Sequence, residues 1–351
     1  MIDVYSMTLE RLKAETEALG MKSYRAVQLY KWMTKYAQIS EMTDISAADR
    51  TKISASMQLS PVKIADRLVS ADKSVKYIFE LADGNIIEGA FMKQGYGNTV
   101  CISTQVGCRM GCAFCASGIG GVVRNLTAGE MLAQVLAVNR DAGGDGENRA
   151  VTNIVLMGSG EPFDNYDNVV LFLSLVSAPY GINVGQRNIT LSTCGLPDAM
   201  KRLADDGVGV NLTVSLHATT DEARRKIMPI AYKYTIDEII DAANYYASVT
   251  KRRTSFEYTM IKNSNMSDGD CARLAQLARR AKAHVNLIML NYVKEKKVTG
   301  CTAAEAEKFR AKLTSLGVNA TIRRSKGGDV GGACGQLRRR YTENKNILSG
   351  E

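Results

Sequence analysis

Residues 101–124, CISTQVGCRMGCAFCASGIGGVVR, decide how this 351-residue chain is read. Three of its cysteines, Cys108, Cys112 and Cys115, are spaced C-x3-C-x2-C. That spacing brings three thiolates onto one tight loop, and Gly107 and Gly111 let the backbone fold around a cluster. Phe114, between the last two, can shield a metal centre from water. The number of ligands is informative. Structural zinc takes four, usually from two paired knuckles. The chain has no second C-x2-C, and only two histidines. An iron–sulfur cluster held by three cysteines leaves one iron open to a substrate or cofactor. A zinc loop and three unrelated buried cysteines are the readings that the residues alone leave open.

Composition bounds the class. Length allows one large domain plus a small appendage. No run approaches the ~18 apolar residues of a membrane span, and no signal peptide is expected from MIDVYSMTLER. Eight cysteines without a secretory signal point to a reducing compartment, here the cytoplasm, and to ligand or catalytic roles. A net charge of +9 and a pI near 9.1 suit a polyanion such as RNA, or simply a basic enzyme.

In chain order, residues 1 to about 58 read as a small helical unit. Thr8 caps a first helix that Gly20 ends, and Ser23 opens a second carrying Tyr24, Tyr30, Trp32 and Met33. Those aromatics, set among Lys22, Arg25, Lys31 and Lys35, read either as helix core or as an RNA surface. Residues 61 to 95 read as short strands with a hairpin turn at Asp83-Gly84. From Val100 the pattern becomes strand, loop, helix, repeated. Strands are expected at Val100–Thr104, Asn153–Met157, Asn188–Ser192, Val210–Leu216, Ser255–Met260, Val285–Leu290 and Val318–Arg323. Three intervening helices open on the same capping box, at Thr127/Glu130, Thr235/Glu238 and Thr302/Glu305. Repeated units of this kind make a parallel sheet or barrel whose chemistry sits at the C-terminal strand ends. The cysteine loop, the string GSGEP (158–162), STCG (192–195) and SLHA (215–218) each end or follow a strand, so they converge on one mouth. Gly158 and Gly160 would let backbone approach a ligand, and Glu161 would accept from an ammonium or hydroxyl.

These strings carry a resemblance. C-x3-C-x2-C with an aromatic before the last cysteine resembles the radical S-adenosylmethionine (SAM) superfamily. STQVG before it, MGSGEP, LSTCG, SLHA and ACGQL (333–337), in this order, resemble the RlmN/Cfr group of RNA adenine methyltransferases over nearly the whole chain. The resemblance implies an α/β fold: a partial (β/α)6 barrel with a small, mainly helical N-terminal accessory domain and a C-terminal extension. We place the limits at 1–95 for an RNA-binding accessory domain, 96–335 for the barrel and 336–351 for a basic tail. The resemblance also implies a [4Fe-4S] cluster on Cys108, Cys112 and Cys115. SAM contacts fall on Gly160, Glu161, Ser192, Ser215, Leu216, His217 and Asn291. Three further residues act on the base. Cys334 is the methyl carrier, Cys101 forms a transient disulfide with it, and Glu88 is an acid/base.

The implied chemistry answers a real difficulty, because adenine carbon 2 is electron-poor and a direct polar methyl transfer to it would be slow. Two SAM molecules serve one turnover. The first methylates Cys334. The second, reduced at the cluster, yields a radical that takes a hydrogen from that methyl group. The resulting carbon radical adds to the base, and Cys101 then attacks the Cys334 sulfur to release the product. The substrate so implied is adenine 2503 of 23S rRNA, with adenine 37 of tRNA as a second. A donor such as flavodoxin would supply electrons, and a monomer without membrane contact is expected. Arg224–Lys226, Lys251–Arg253, Arg323, Arg324 and Lys326 are the cations available to RNA.

The chain departs from the family pattern at three places. It reads Glu88-Gly89-Ala90 for E-T-V, Met289 where a proline usually precedes the Asn291 site, and Gly331 for the second acid of D-I-D-A-A-C-G-Q. Cfr-type methylation of carbon 8 is the nearest alternative, and Val106 favours carbon 2. A glycyl-radical activase would not need Cys334. An iron–sulfur or zinc RNA-binding regulator would not cleave SAM.

Overall fold

The computed structural model describes residues 1–95, 97–145 and 148–337. The N-terminal unit runs β1 (Ile2–Asp3), α1 (Leu9–Ala18), α2 (Tyr24–Thr34), α3 (Ala47–Ser56) and β2 (Met57–Gln58), and β1 and β2 pair in parallel to close it. Thr8 caps α1 as expected, its side chain accepting from Arg11 N–H. Ser23 does not cap α2: it already has helical dihedrals and its side chain makes no cap bond. Leu29, Tyr30 and Met33 are buried, so most of the aromatic stripe is core. Only Tyr24 of that stripe stands out, at 51 % exposure.

The rest alternates strand and helix. β3 (Val62–Val69), β4 (Val75–Leu81), β5 (Ile86–Gln94) and β6 (Gly97–Ile102) form an antiparallel meander. β7 (Gln105–Gly107) and β8 (Val122–Asn125) make a separate short ribbon. Then follow α4 (Ala128–Asp141), β9 (Asn153–Leu156), α5 (Tyr166–Ser177), β10 (Ile189–Thr193), α6 (Pro197–Asp205) and β11 (Asn211–Ser215). The chain continues through α7 (Asp221–Ile227), α8 (Ile236–Thr250), β12 (Ser255–Met260), α9 (Asp268–Arg280), β13 (His284–Met289), α10 (Ala303–Ser315) and β14 (Ala320–Arg323). All seven strands expected from Val100 onward are present, displaced by at most three residues at an end. The three expected capping boxes are made, and a fourth, Ser267/Asp270, opens α9.

The main sheet has ten strands lying in strict chain order from β3 to β14, the short pair β7 and β8 standing aside. From β6 to β14 every pairing is parallel, as strand–helix–strand crossovers require. The limit expected at residue 95 falls in the turn between β5 and β6, which pair from Ala90/Cys101 to Gln94/Gly97. The strands of residues 62–94 therefore continue the barrel sheet. The N-terminal unit shares the main apolar core, which runs from Val4 to Ala320. It is pinned to the start of α4, where Asp3 accepts from Thr127 Oγ1 at 2.9 Å and Ser6 Oγ accepts from Gly129 N–H at 2.7 Å.

Strand alternation sets the two faces of the barrel. Val100, Ile102, Ile154, Leu156, Val214 and Phe256 are buried in the core. Thr99, Cys101, Asn153, Val155, Thr213 and Glu257 face inward instead and line a cavity of about 950 Å³. A lumen lined this way is polar and open, where a small closed barrel would be filled by side chains. No helix among the described residues is long and apolar enough to cross a membrane.

Candidate active site

The cysteine loop is slung from the β7–β8 ribbon just beyond the end of β6. Cys108 N–H donates to Gly121 O at 3.0 Å, closing the loop's base. Gly107, at φ +80°, could carry no side chain, because a Cβ there would lie 2.0 Å from Gly121 O. Ala113 N–H donates to Ile227 O at 2.9 Å and Lys296 Nζ to Cys112 O at 3.2 Å, fixing the far side. The three thiols are free, and no three donor side chains among the described residues converge on a single ion. A multi-iron cluster asks for no such convergence, since each thiolate takes its own iron. Burial pushes Cys108 up to about 12 and Cys112 further, and each is raised again by the charge of its neighbours. A cationic iron core relieves both costs, so the donor set fits an iron–sulfur cluster.

Beside the loop lie two buried charges. Glu161 is enclosed at the end of the turn after β9, where it caps the short helical turn Pro162–Asn165, and burial raises its carboxyl. Its oxygens accept from Cys194 N–H at 2.8 Å and Phe163 N–H at 3.2 Å. Among the described residues no cation pairs with it, which fits a carboxylate kept for an ammonium brought by a ligand. Arg224, fully buried on α7, donates from Nε to Leu216 O at 3.2 Å and from Nη2 to Cys194 O, while its Nη1 has no partner. This corrects the expectation that Arg224 serves RNA: the side chain points inward.

The other residues expected at SAM gather nearby. Ser192 lies in β10 and Ser215 ends β11, the next strand. Leu216 and His217 both donate their N–H to Glu257 O, at 3.1 and 3.3 Å. His217 has φ +57° and accepts from Thr259 N–H at Nδ1, 2.9 Å away, which puts its proton on Nε2. Burial drives its pKa down to about 3, so the ring is neutral, standing edge-on to Phe114 with centroids 4.8 Å apart. Gly158 and Gly160 also have a reason within the protein itself. A Cβ at Gly158 would lie 2.6 Å from Ile102 O, and one at Gly160 2.6 Å from Thr104 Oγ1. Both glycines permit the close crossing of two loops of the protein itself. Asn291, too, has partners within the protein. Its amide donates to Cys334 O at 3.0 Å and accepts from Ser325 Oγ at 2.5 Å, so here it ties down the Cys334 loop.

Cys101 and Cys334, far apart in sequence, line the same cavity. Burial pushes the Cys101 thiol up to about 12, and the Cys334 charge adds to this while Arg323 opposes it. Cys334 is open to the lumen yet ringed by protein, which raises its thiol too, again against Arg323. Arg323 is held by Glu257 at 3.2 Å and reaches Met157 Sδ at 3.4 Å. The Cys334 loop is anchored at several points. Asp329 accepts from Ser70 Oγ at 2.5 Å and Ala71 N–H at 3.0 Å, Asp72 accepts from Gly327 N–H at 3.0 Å, and Gly335 O accepts from Ala116 N–H at 2.8 Å.

Glu88 shares the inward face of β5 with Ala90 and Met92, which line the cavity. It is 1 % exposed and pairs with Lys76 Nζ at 2.8 Å. Lys76 packs in turn under the Cys334 loop, its Cβ 3.2 Å from where a Gly332 Cβ would stand. The unusual Gly89 is explained by Phe79, whose ring lies 2.9 Å from a Cβ built there.

Comparison with known proteins agrees. A family profile described as "Radical SAM superfamily" matches residues 102–275, and one described as "Ribosomal RNA large subunit methyltransferase N-terminal domain" matches residues 2–59. A protein of Clostridium perfringens named "Probable dual-specificity RNA methyltransferase RlmN" is 46 % identical over 350 residues, 99 % of each chain. The chain belongs to the RlmN family of radical SAM RNA methyltransferases. A namesake from Lachnoclostridium phytofermentans is 44 % identical, covering 97 % of this chain and 96 % of its own. A solved structure, a radical SAM methyltransferase from Sphaerobacter thermophilus, superposes with a TM-score of 0.93 at 38 % identity, over 97 % of this chain and all of the other. Membership brings the [4Fe-4S] cluster and SAM as cofactors.

For an RlmN-family reading, four residues were not legible beforehand: Lys76, Asp329, Glu257 and the inward-turned Arg224. The Asp83-Gly84 turn held a signal for the first. Its register sets Lys76 opposite Ala90 and Ile78 opposite Glu88, which makes Lys76 and Glu88 a diagonal pair on one face. Arg225, over the Tyr232 ring, and Lys226, paired with Glu222 at 2.9 Å, lie outside the lumen. Arg253, Arg323, Arg324 and Lys326 line the cavity. Of the basic tail, residues 338–351 fall outside the described residues.

Proposed function

We propose that this chain methylates carbon 2 of an adenine in 23S rRNA, with transfer RNA as a second substrate, through a methyl group carried on Cys334. The observation that carries this reading is the shared cavity: Cys101 and Cys334 lie on its wall, with cations around them. The cavity is lined by Lys93, Arg187, Arg253, Arg323, Arg324 and Lys326 against Glu257, a surplus suited to a phosphate-bearing strand. An adenine would enter it unstacked from its helix.

When bound, the cluster and SAM supply the methyl group and the one-electron chemistry. Cys108, Cys112 and Cys115 hold the cluster. Glu161 receives the cofactor's ammonium, and Gly160, Ser192, Ser215, Leu216 and neutral His217 line its place. Cys334 accepts the methyl group as a thiolate, with Arg323 offsetting the negative charge. Once the carbon is joined to the base, the Cys101 thiolate attacks the Cys334 sulfur. A sulfur–sulfur bond forms, the sulfur–carbon bond breaks, and that bond's electron pair leaves with the base. Glu88, charge-balanced by Lys76, handles protons at the edge of the cavity. A flavodoxin-like donor reopens the disulfide.

Nucleoside mass spectrometry tests the reading. The anaerobically reconstituted protein is given SAM, reductant and unmodified 23S rRNA or tRNA, and the RNA is digested. 2-Methyladenosine is expected from both RNAs and from neither with Cys334→Ala. 8-Methyladenosine, or 2-methyladenosine made by Cys334→Ala, would overturn it.

A further inference from the structure

Arg224 is the largest fully buried side chain among the described residues. Its helix neighbours Ile227 and Met228 belong to a small apolar cluster, with Cys194, that Cys112 and Phe114 pack against. Three carbonyls, of Leu216, Cys194 and Ser215, take its Nε and Nη2 hydrogens. Carbonyls satisfy donors but cancel no charge. Among the described residues no carboxylate lies within ion-pair distance of it. Asp221 acts on it only from farther away and is itself engaged by Ile236 N–H at 2.8 Å. A guanidinium taken wholly out of water needs a buried counter-charge and an acceptor for every N–H. Here both are missing on one side, where Nη1 has no partner. Besides Asp221, the acidic groups that act electrostatically on Arg224 are the thiols of Cys112 and Cys194. Cys112 is a ligand of the cluster, and the three-thiolate cluster is an anion.

We propose that Arg224 donates its free Nη1–H to the sulfur at the Cys112 corner of the cluster and holds the cluster's reduction potential up. The physical reason is direct. Reduction adds one negative charge to the cluster, and a fixed cation in a low-dielectric setting stabilises the reduced form more than the oxidised one. Hydrogen bonds to sulfur and nearby charge are among the levers that set such potentials. The carbonyls of Cys194, Leu216 and Ser215 hold the guanidinium in place, so Arg224 acts as a positioning and tuning residue. The inference rests on the cluster of the family, not on which RNA or which carbon is methylated.

The test is an EPR-monitored redox titration of the reconstituted protein without SAM or RNA, for wild type, Arg224→Lys and Arg224→Met. Arg224→Met is expected to lower the ratio of reduced to oxidised cluster about tenfold at a fixed potential, equal to about 59 mV for a one-electron couple. Arg224→Lys, which keeps the charge, is expected to stay within about twofold of wild type. A second readout uses the intact wild-type protein grown on arginine labelled with nitrogen-15 in the guanidinium. Pulsed EPR of its reduced cluster should show a nitrogen-15 coupling that Arg224→Lys abolishes. A ratio in Arg224→Met unchanged within twofold overturns the proposal. So does a shift that appears only when SAM is added, which would place the contact at the cofactor's carboxylate. If Arg224→Met does not fold or load iron, the labelled spectrum decides, and no coupling overturns the proposal. Because no RNA is present, failure of the RNA assignment cannot produce either result.

Discussion

Lys76→Met removes the ammonium that stands 2.8 Å from the Glu88 carboxylate, in a place where Lys76 is 9 % and Glu88 1 % exposed by side chain. Taking one partner from a buried pair costs about 3–5 kcal/mol, because a desolvated charge loses its counter-charge. At roughly 2 °C per kcal/mol for a chain of this size, the melting temperature should fall by ~6–10 °C. Adding Glu88→Gln should recover about 2 kcal/mol, since the buried carboxylate charge is then gone. Urea unfolding of wild type, the two single variants and the double variant checks this. Additive single effects would refute the view that the two side chains are coupled as a buried ion pair.

Other outcomes follow from the same geometry. Gly107→Ala forces a Cβ to 2.0 Å from Gly121 O at φ +80°, so the reconstituted variant should hold well under half the wild-type iron while its far-UV circular dichroism stays unchanged. Asp329→Ala frees the Cys334 loop from Ser70 and Ala71, and limited proteolysis should cut within residues 325–337 faster than in wild type. That anchor is also acid-sensitive. The hydrogen bond from Ser70 leads in holding the Asp329 pKa below its ordinary value, so its contribution is present at neutral pH and fades as pH falls through the lowered pKa. Cys101, pushed up to about 12 by burial, should react with iodoacetamide far more slowly at pH 8 in the folded protein than in urea, as peptide mapping would show.

The sequence revealed most where local rules suffice. Each capping box needs only residues three apart, and the strands from Asn153 to Arg323 repeat a pattern that a parallel sheet imposes. The motifs at strand ends converge for the same reason. What escaped depends on partners far away in the chain. Nothing near Arg224 in α7 says that its side chain turns inward to the carbonyl of Cys194, since a helix bearing Arg224, Arg225 and Lys226 looks solvated. Residues 62–94 read as an appendage because a hairpin looks the same whether it stands alone or extends a sheet. Gly158 reads as a glycine beside a ligand, and the sequence does not show that Ile102 O also leaves no room for a side chain there. Ser23 reads as a cap, yet its own backbone already has helical dihedrals. The fourth box carries aspartate where the pattern usually has glutamate, and was passed over.

The central claim is that Cys334 and Cys101 act in turn on one base inside one cavity. Cys101→Ala removes the thiol that would release the product, so the base should stay joined to Cys334. The variant, loaded with cluster and given SAM, reductant and RNA, would be digested with nuclease and trypsin and sequenced by tandem mass spectrometry. The account predicts an adenosine attached through one carbon to the peptide containing Cys334. Free methylated adenosine at the wild-type rate, with no such peptide, would contradict it.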